Sequence, residues 1–207
     1  QDCSRQGGRF RDTGCAGAPI GKQVRRKMIG GATRPGQYRY LALSYLRFLT
    51  TGRVPAFPRA IHLQTQSRCN AACAMCPYPL VSSAWTHGKM SEAMFESIVE
   101  QLGRAPRGTT LTVAIHNEPL LNQDIFRWFR KLRNRAPQIR SSLTTNGSLL
   151  DAFDESEIED ARLDLLAVSL NAHTRTTFEQ LNCGLDFDQV VGNVLRLAQN
   201  TRIAERL

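Results

Sequence analysis

Apolar residues recur along this chain with two alternating periods. Tyr38, Leu41, Tyr45, Phe48 and Leu49 fall at helical spacing across residues 37–50, with Arg39 and Arg47 between them, which predicts an amphipathic helix. Gly52 ends it, and Pro55 and Pro58 mark an extended connector. After the connector, short β-branched runs alternate with helical ones. Residues 60–65 predict a strand, and residues 91–102 a helix with Met94, Phe95, Ile98, Val99 and Leu102 inward and Ser91 as N-cap. Residues 109–115 predict a second strand and 122–134 a helix built on Ile125, Phe126, Phe129 and Leu132. A third strand is expected at 139–145, a short acidic helix at 150–161, a fourth strand at 165–170 and a last helix at 187–198.

Four strand–helix units in succession predict an α/β domain with a parallel sheet and right-handed crossovers. The expected organisation is a basic irregular arm over residues 1–36, a helix and linker over 37–59, and the α/β domain over 60–207. Charge follows the same division. Residues 1–60 hold twelve Lys and Arg against two acids, whereas the rest of the chain is nearly balanced, fifteen against sixteen. A basic arm of this kind reads as a solvated segment.

Composition and motifs exclude several classes. No apolar run approaches the ~20 residues that span a bilayer. Neither GxxxxGK[ST] nor GxGxxG occurs, which argues against a phosphate-loop or dinucleotide fold. Nothing among the Ser and His residues forms a recognisable hydrolase triad. Cys3, Cys15 and Cys183 are isolated and read as ordinary thiols, and the clustered thiols fit a reducing, cytoplasmic setting.

The candidate chemistry lies in Cys69-Asn70-Ala71-Ala72-Cys73-Ala74-Met75-Cys76, which follows the first predicted strand. Spacings of four and three bring three thiols to one side of a helical path. Thiolates are soft ligands that select zinc, copper(I) or iron–sulfur. Three ligands rather than four leave a coordination position open, the mark of a catalytic rather than a structural site. Ligands of parallel α/β domains bind at the carboxyl ends of strands. The unusual residues fall there: the thiol loop after strand one, His116-Asn117-Glu118-Pro119 after strand two, Asn146-Gly147 after strand three, and Ser169 and Asn171 at strand four.

CxxxCxxC followed by Pro77 and Tyr78, directly after a strand, resembles the cluster loop of the radical S-adenosylmethionine (radical SAM) enzymes. The resemblance implies a partial parallel (β/α) barrel of six units, of which this chain supplies about four, so it reads as incomplete at the C-terminus. It implies a [4Fe–4S] cluster held by Cys69, Cys73 and Cys76, with S-adenosyl-L-methionine on the fourth iron. Met75 takes the position usual for a residue beside the adenine. Glu118-Pro119 resembles the end of the family's GGEP element, with His116 and Asn117 in place of its glycines. Thr145-Asn146-Gly147 matches a common TNG turn. Tyr78, Asn117, Glu118, Asn146, Ser169 and Asn171 thereby become expected cofactor-binding residues.

The motifs are most similar to members that carry a SPASM domain and act on peptides or cofactor precursors. The implied activity is reductive cleavage of S-adenosylmethionine to a 5′-deoxyadenosyl radical that takes hydrogen from a substrate. The implied partners are a one-electron donor of flavodoxin or ferredoxin type and a peptide or small-molecule substrate; membrane and nucleic acid are not expected. Two alternatives stand beside this reading. One is a zinc module of the three cysteines plus His87, with the arm reaching nucleic acid. The other is an iron–sulfur protein of the same fold that has lost catalysis.

Overall fold

The computed structural model describes residues 35–55 and 57–207. The basic arm with Cys3 and Cys15 lies outside the described residues, and the chain divides into two units at Ala56 and Phe57. In the first unit, helix α1 spans Pro35–Thr51 and leaves Leu41, Tyr45, Leu46 and Leu49 exposed. Gly52 ends it at φ +66°, its amide bonding the Phe48 carbonyl at 2.8 Å, a left-handed cap that glycine adopts without strain.

The second unit is an α/β domain. Its four strands are β1 (Ala60–Leu63), β2 (Thr110–Val113), β3 (Arg140–Thr145) and β4 (Leu165–Val168), ordered β1-β2-β3-β4 and parallel throughout. Between them run α2 (Tyr78–Val81), α3 (Glu92–Gly103), α4 (Ile125–Arg135) and α5 (Glu155–Asp160), followed by α6 (Arg175–Leu181), α7 (Phe187–Gln199) and α8 (Thr201–Ala204). Sequential strands pair as neighbours, the usual outcome of short strand–helix–strand connections.

Strand alternation sorts the two faces. Ile61, Leu63, Leu111, Val113, Leu143 and Leu166 pack into the main core with Phe95, Val99 and Leu102 of α3 and Phe126, Phe129 and Leu132 of α4. Phe95 stacks on Trp128 with ring centroids 4.6 Å apart, a geometry that adds about 0.5–1.5 kcal/mol beyond burial. The opposite face carries His62, Thr112, Ser142 and Thr144, with Thr112 and Ser142 hydroxyls 2.9 Å apart. One face is oily and the other polar, so the domain presents a polar surface below its carboxyl edge.

Several elements differ from expectation. β1 ends at Leu63 because residues 65–67 change partners: Met90 N–H bonds Thr65 O at 2.8 Å, and Ser67 N–H bonds Gly88 O at 3.0 Å. The helix expected over 150–161 divides into a 3₁₀ turn, Leu150–Ala152, and α5. Phe153 adopts φ −124°, ψ 140° between them, which buries its ring against Phe126, and Glu157 reaches back to the Asp154 amide to start α5 afresh. The helix expected from residue 122 starts at Ile125, because residues 119–121 form a 3₁₀ turn whose capping residue is Asn122. Helix α6, capped by Thr174 through the Thr177 amide, was not anticipated.

Candidate active site

The thiol loop rises from the end of β1 and is fixed on two sides. Toward α6, Ala72 N–H donates to Cys183 O and Ala74 N–H to Leu181 O, both at 2.8 Å. Gly184 turns the chain beside the loop at φ +92°, a left-handed conformation that glycine adopts without strain. Ala71 is buried beneath the loop with Phe178, Leu185 and Val190, and Cys69 and Cys73 pack on this cluster. Ala71 is therefore a packing residue, whereas Ala72 and Ala74 are exposed and held through their backbone amides.

Toward β3, side chains do the fixing. Asn70 Nδ2 donates to Ser148 Oγ at 2.9 Å, the Ser148 hydroxyl donates to Asn146 Oδ1 at 2.8 Å, and Asn146 Nδ2 donates to Asn70 Oδ1 at 2.8 Å. The three groups form a closed ring. Gly147 sits inside the turn at φ +81°, and a β-carbon there would stand 2.7 Å from Val168 Cγ1, so only glycine fits.

A cleft of about 200 Å³ opens at the carboxyl ends of the strands. Cys69, Cys73 and Cys76 line it, together with Met75, Tyr78, Asn117, Glu118, Asn146, Ser169 and Asn171. The ten residues that the family resemblance assigns to cluster and cofactor thus line one space, although the contacts differ. Met75 is 54 % exposed at the rim. Tyr78 is buried, and its hydroxyl accepts from the Cys69 amide at 3.1 Å, while its own amide donates to Cys76 Sγ at 3.4 Å. Ser169 is held by its amide on Thr145 O at 2.8 Å.

Glu118 is almost wholly buried. Its Oε1 accepts from the Leu120 amide and the Thr145 hydroxyl at 3.0 and 2.6 Å, and Oε2 from the Asn146 amide at 2.8 Å. Burial pushes its carboxyl above the ordinary range, and these three donors oppose that shift. Two acceptors can take four hydrogens, so one position on Oε2 remains.

Asn117 is different. Both polar atoms of its carboxamide are shielded from solvent and bonded to nothing in the protein. A buried amide left unpaired costs about 1–3 kcal/mol, and such groups are uncommon in native folds.

Burial raises the Cys69 thiol, and burial with the neighbouring thiols of Cys69 and Cys76 raises Cys73 to about 11. Both therefore hold their protons at neutral pH, and a metal that binds them must displace protons. The donor set fits a thiolate-ligated iron–sulfur group: three sulfurs on one loop, an N–H donor beside Cys76, and no carboxylate on the loop itself. His87, the fourth ligand of the zinc alternative, lies with Nδ1 3.5 Å from Ser67 Oγ and does not line the cleft.

One residue of the site was not anticipated. Asn182, 1 % exposed, places Oδ1 2.8 Å from Asn171 Nδ2 and 3.7 Å from Cys73 Sγ. It reaches the cleft because the α6–α7 connection folds under the thiol loop, a contact spanning 109 residues of sequence.

A parallel α/β sheet with a three-thiol loop and a cleft at its carboxyl edge defines the class of this protein. Residues 63–203 match the model of the Radical SAM superfamily, and the chain belongs to that family. It is 24 % identical over 132 residues to the S-adenosyl-L-methionine-dependent 2-deoxy-scyllo-inosamine dehydrogenase of Niallia circulans, covering 64 % of this chain and 50 % of that protein. Among solved structures it is similar to anSMEcpe with bound AdoMet (25 % identity, TM-score 0.57, 70 % of this chain and 42 % of that one). It is also similar to methylornithine synthase (PylB), at 15 % identity and TM-score 0.51, over 88 % of this chain and 53 % of that one. The chain thus spans about half the length of these relatives. Among the described residues no helix is long and apolar enough to cross a membrane.

Proposed function

We propose that this protein is a radical SAM enzyme whose Cys69, Cys73 and Cys76 hold a [4Fe–4S] cluster and whose cleft receives S-adenosyl-L-methionine. The observation that carries the reading is the unpaired, shielded carboxamide of Asn117 in the same cleft as the three thiols. The AdoMet-bound neighbour and the S-adenosyl-L-methionine-dependent relative support it. Held by Cys69, Cys73 and Cys76, such a cluster would supply the one electron needed for reductive cleavage of S-adenosylmethionine to methionine and a 5′-deoxyadenosyl radical able to take hydrogen from a substrate.

The protein's own groups bind and orient. Asn117 offers two donors and an acceptor, a set complementary to the ammonium and carboxylate of an amino-acid end. Glu118 ties the ends of β2 and β3 together and keeps one acceptor position toward the cleft. Ser169, Asn171 and the rim residue Met75 complete the walls, and the Tyr78 amide hydrogen steadies Cys76 Sγ. The buried Phe178–Leu185–Val190 cluster closes the floor below Cys69 and Cys73 and excludes water there.

The substrate proposed is a peptide or a small molecule, and the electron comes from a flavodoxin- or ferredoxin-type donor. The SPASM subtype rests on the sequence resemblance alone. Neither alternative gains from the geometry, since His87 stands outside the cleft and Asn117 is left waiting in a protein without a cofactor. Anaerobic reconstitution followed by metal and acid-labile sulfide analysis tests the reading. A brown protein with iron and sulfide in near-equal amounts supports it, and a colourless protein that retains zinc overturns it.

A further inference from the structure

Asn70 sits between Cys69 and Ala71, and its carboxamide reaches across to the end of β3. There it meets Asn146 and Ser148 in the ring described above, where each of the three side chains donates once and accepts once. No member can turn over without breaking two bonds, and such head-to-tail bonds polarise one another. The rest of the turn is equally committed. Asn146 Oδ1 also accepts the Ser148 amide at 3.0 Å, the Asn146 amide is taken by Glu118, and the Gly147 carbonyl accepts from Asn193 at 2.9 Å. Both acceptor positions of the Asn146 amide oxygen and one of its two donor hydrogens are thus used within the protein.

We infer that Asn70, Asn146 and Ser148 are positioning residues that latch the thiol loop to the end of β3, so that the Cys69 end of the loop is held in place before any cluster is loaded. The inference rests on the function proposed above. Asn146 then acts on the cluster through Asn70, and not as a contact to the cofactor. The division of labour along the loop supports this. Backbone bonds to Cys183 and Leu181 fix residues 72 and 74, whereas the half nearest Cys69 is held by the ring, by the Glu118 amide on Arg68 O at 3.0 Å, and by Tyr78. A loop held on both sides loses less conformational freedom when it ligates, which speeds loading and slows loss.

The test compares wild type, Asn70→Ala, Ser148→Ala and the double variant, each reconstituted anaerobically. Iron release to a ferrous chelator is followed alongside the thermal midpoint of the cluster-free protein and the electron paramagnetic resonance signal of the reduced cluster. Each single variant removes two ring bonds and should release iron about tenfold faster. Because one break opens the whole ring, the double variant should release it no faster than the worse single. The cluster-free midpoints should stay within a few degrees of one another, and the resonance signal of the variants should broaden. Wild-type release rates in both single variants would overturn the inference, as would additive effects in the double. A midpoint that falls in step with iron loss would assign the ring to general stability instead, which also overturns it. A wild type that takes up no iron and sulfide would overturn the functional reading and this inference together; a loaded wild type with unmoved variants overturns the inference alone.

Discussion

The backbone amide of Asn146 donates to Oε2 of Glu118 at 2.8 Å, which joins the ends of β2 and β3 beside the thiol loop. With the Thr145 hydroxyl and the Leu120 amide on Oε1, this makes Glu118 a strut as well as a wall of the cleft. A carboxamide in its place must turn an NH₂ toward a donor. Glu118→Gln should therefore destabilise the ligand-free protein by about 1–3 kcal/mol. Chemical denaturation without cofactor measures this. An unchanged midpoint would mean that the strut contributes nothing and that Glu118 serves the cofactor only.

Asn117 should show the opposite sign. Its carboxamide is unpaired when the cleft is empty, so Asn117→Leu removes a buried unsatisfied group and should stabilise the ligand-free protein by about 1 kcal/mol or more. The same change should weaken S-adenosylmethionine binding by at least about tenfold, since a hydrogen bond to a charged group contributes roughly 1.5–3 kcal/mol. Equilibrium binding to the iron-loaded protein checks the second effect. A variant that is less stable and binds as well as wild type would place the Asn117 amide in the fold and not in the site.

These opposed signs bear on what the sequence made legible. The periodic helices and the four strands were readable because their apolar faces obey local rules, as in Phe95, Val99 and Leu102 or in Leu111 and Val113. That the candidate residues would gather in one cleft was readable too, because the carboxyl ends of parallel strands lie side by side. Its wiring was not. Asn182 meets Cys73 across 109 residues and Asn70 meets Ser148 across 78, and no local period encodes such pairs. The split at Phe153 escaped notice for a related reason: a tertiary contact with Phe126 outweighed helix propensity through residues 150–161.

Acid should expose a different part of the structure. Glu92 of α3 accepts from Arg127 and Lys131 of α4, and these hydrogen bonds hold its carboxyl at about 2, below the ordinary 4.5. A depressed carboxylate stabilises the fold at pH values above 4.5, and that contribution fades as pH falls from 4.5 toward 2. The Glu92 side chain is 40 % exposed, so solvent screens the effect and it should be modest. Glu92→Gln should lose thermal midpoint less steeply across that window than wild type does. Parallel slopes for the two proteins would show that the α3–α4 contact does not depend on this charge.

The central claim is that three thiols of one loop, and no fourth, hold a cluster that reduces S-adenosylmethionine. Cys183 offers its carbonyl to Ala72, while its Sγ lies 3.5 Å from the Gln180 carbonyl. The direct test is formation of 5′-deoxyadenosine by the anaerobically reconstituted, dithionite-reduced protein, with iron measured in every sample. The account predicts product from wild type and from Cys183→Ala, and none from Cys69→Ala, Cys73→Ala or Cys76→Ala. Iron-replete wild type that forms no 5′-deoxyadenosine, or a Cys183→Ala variant that loses its cluster, would contradict it.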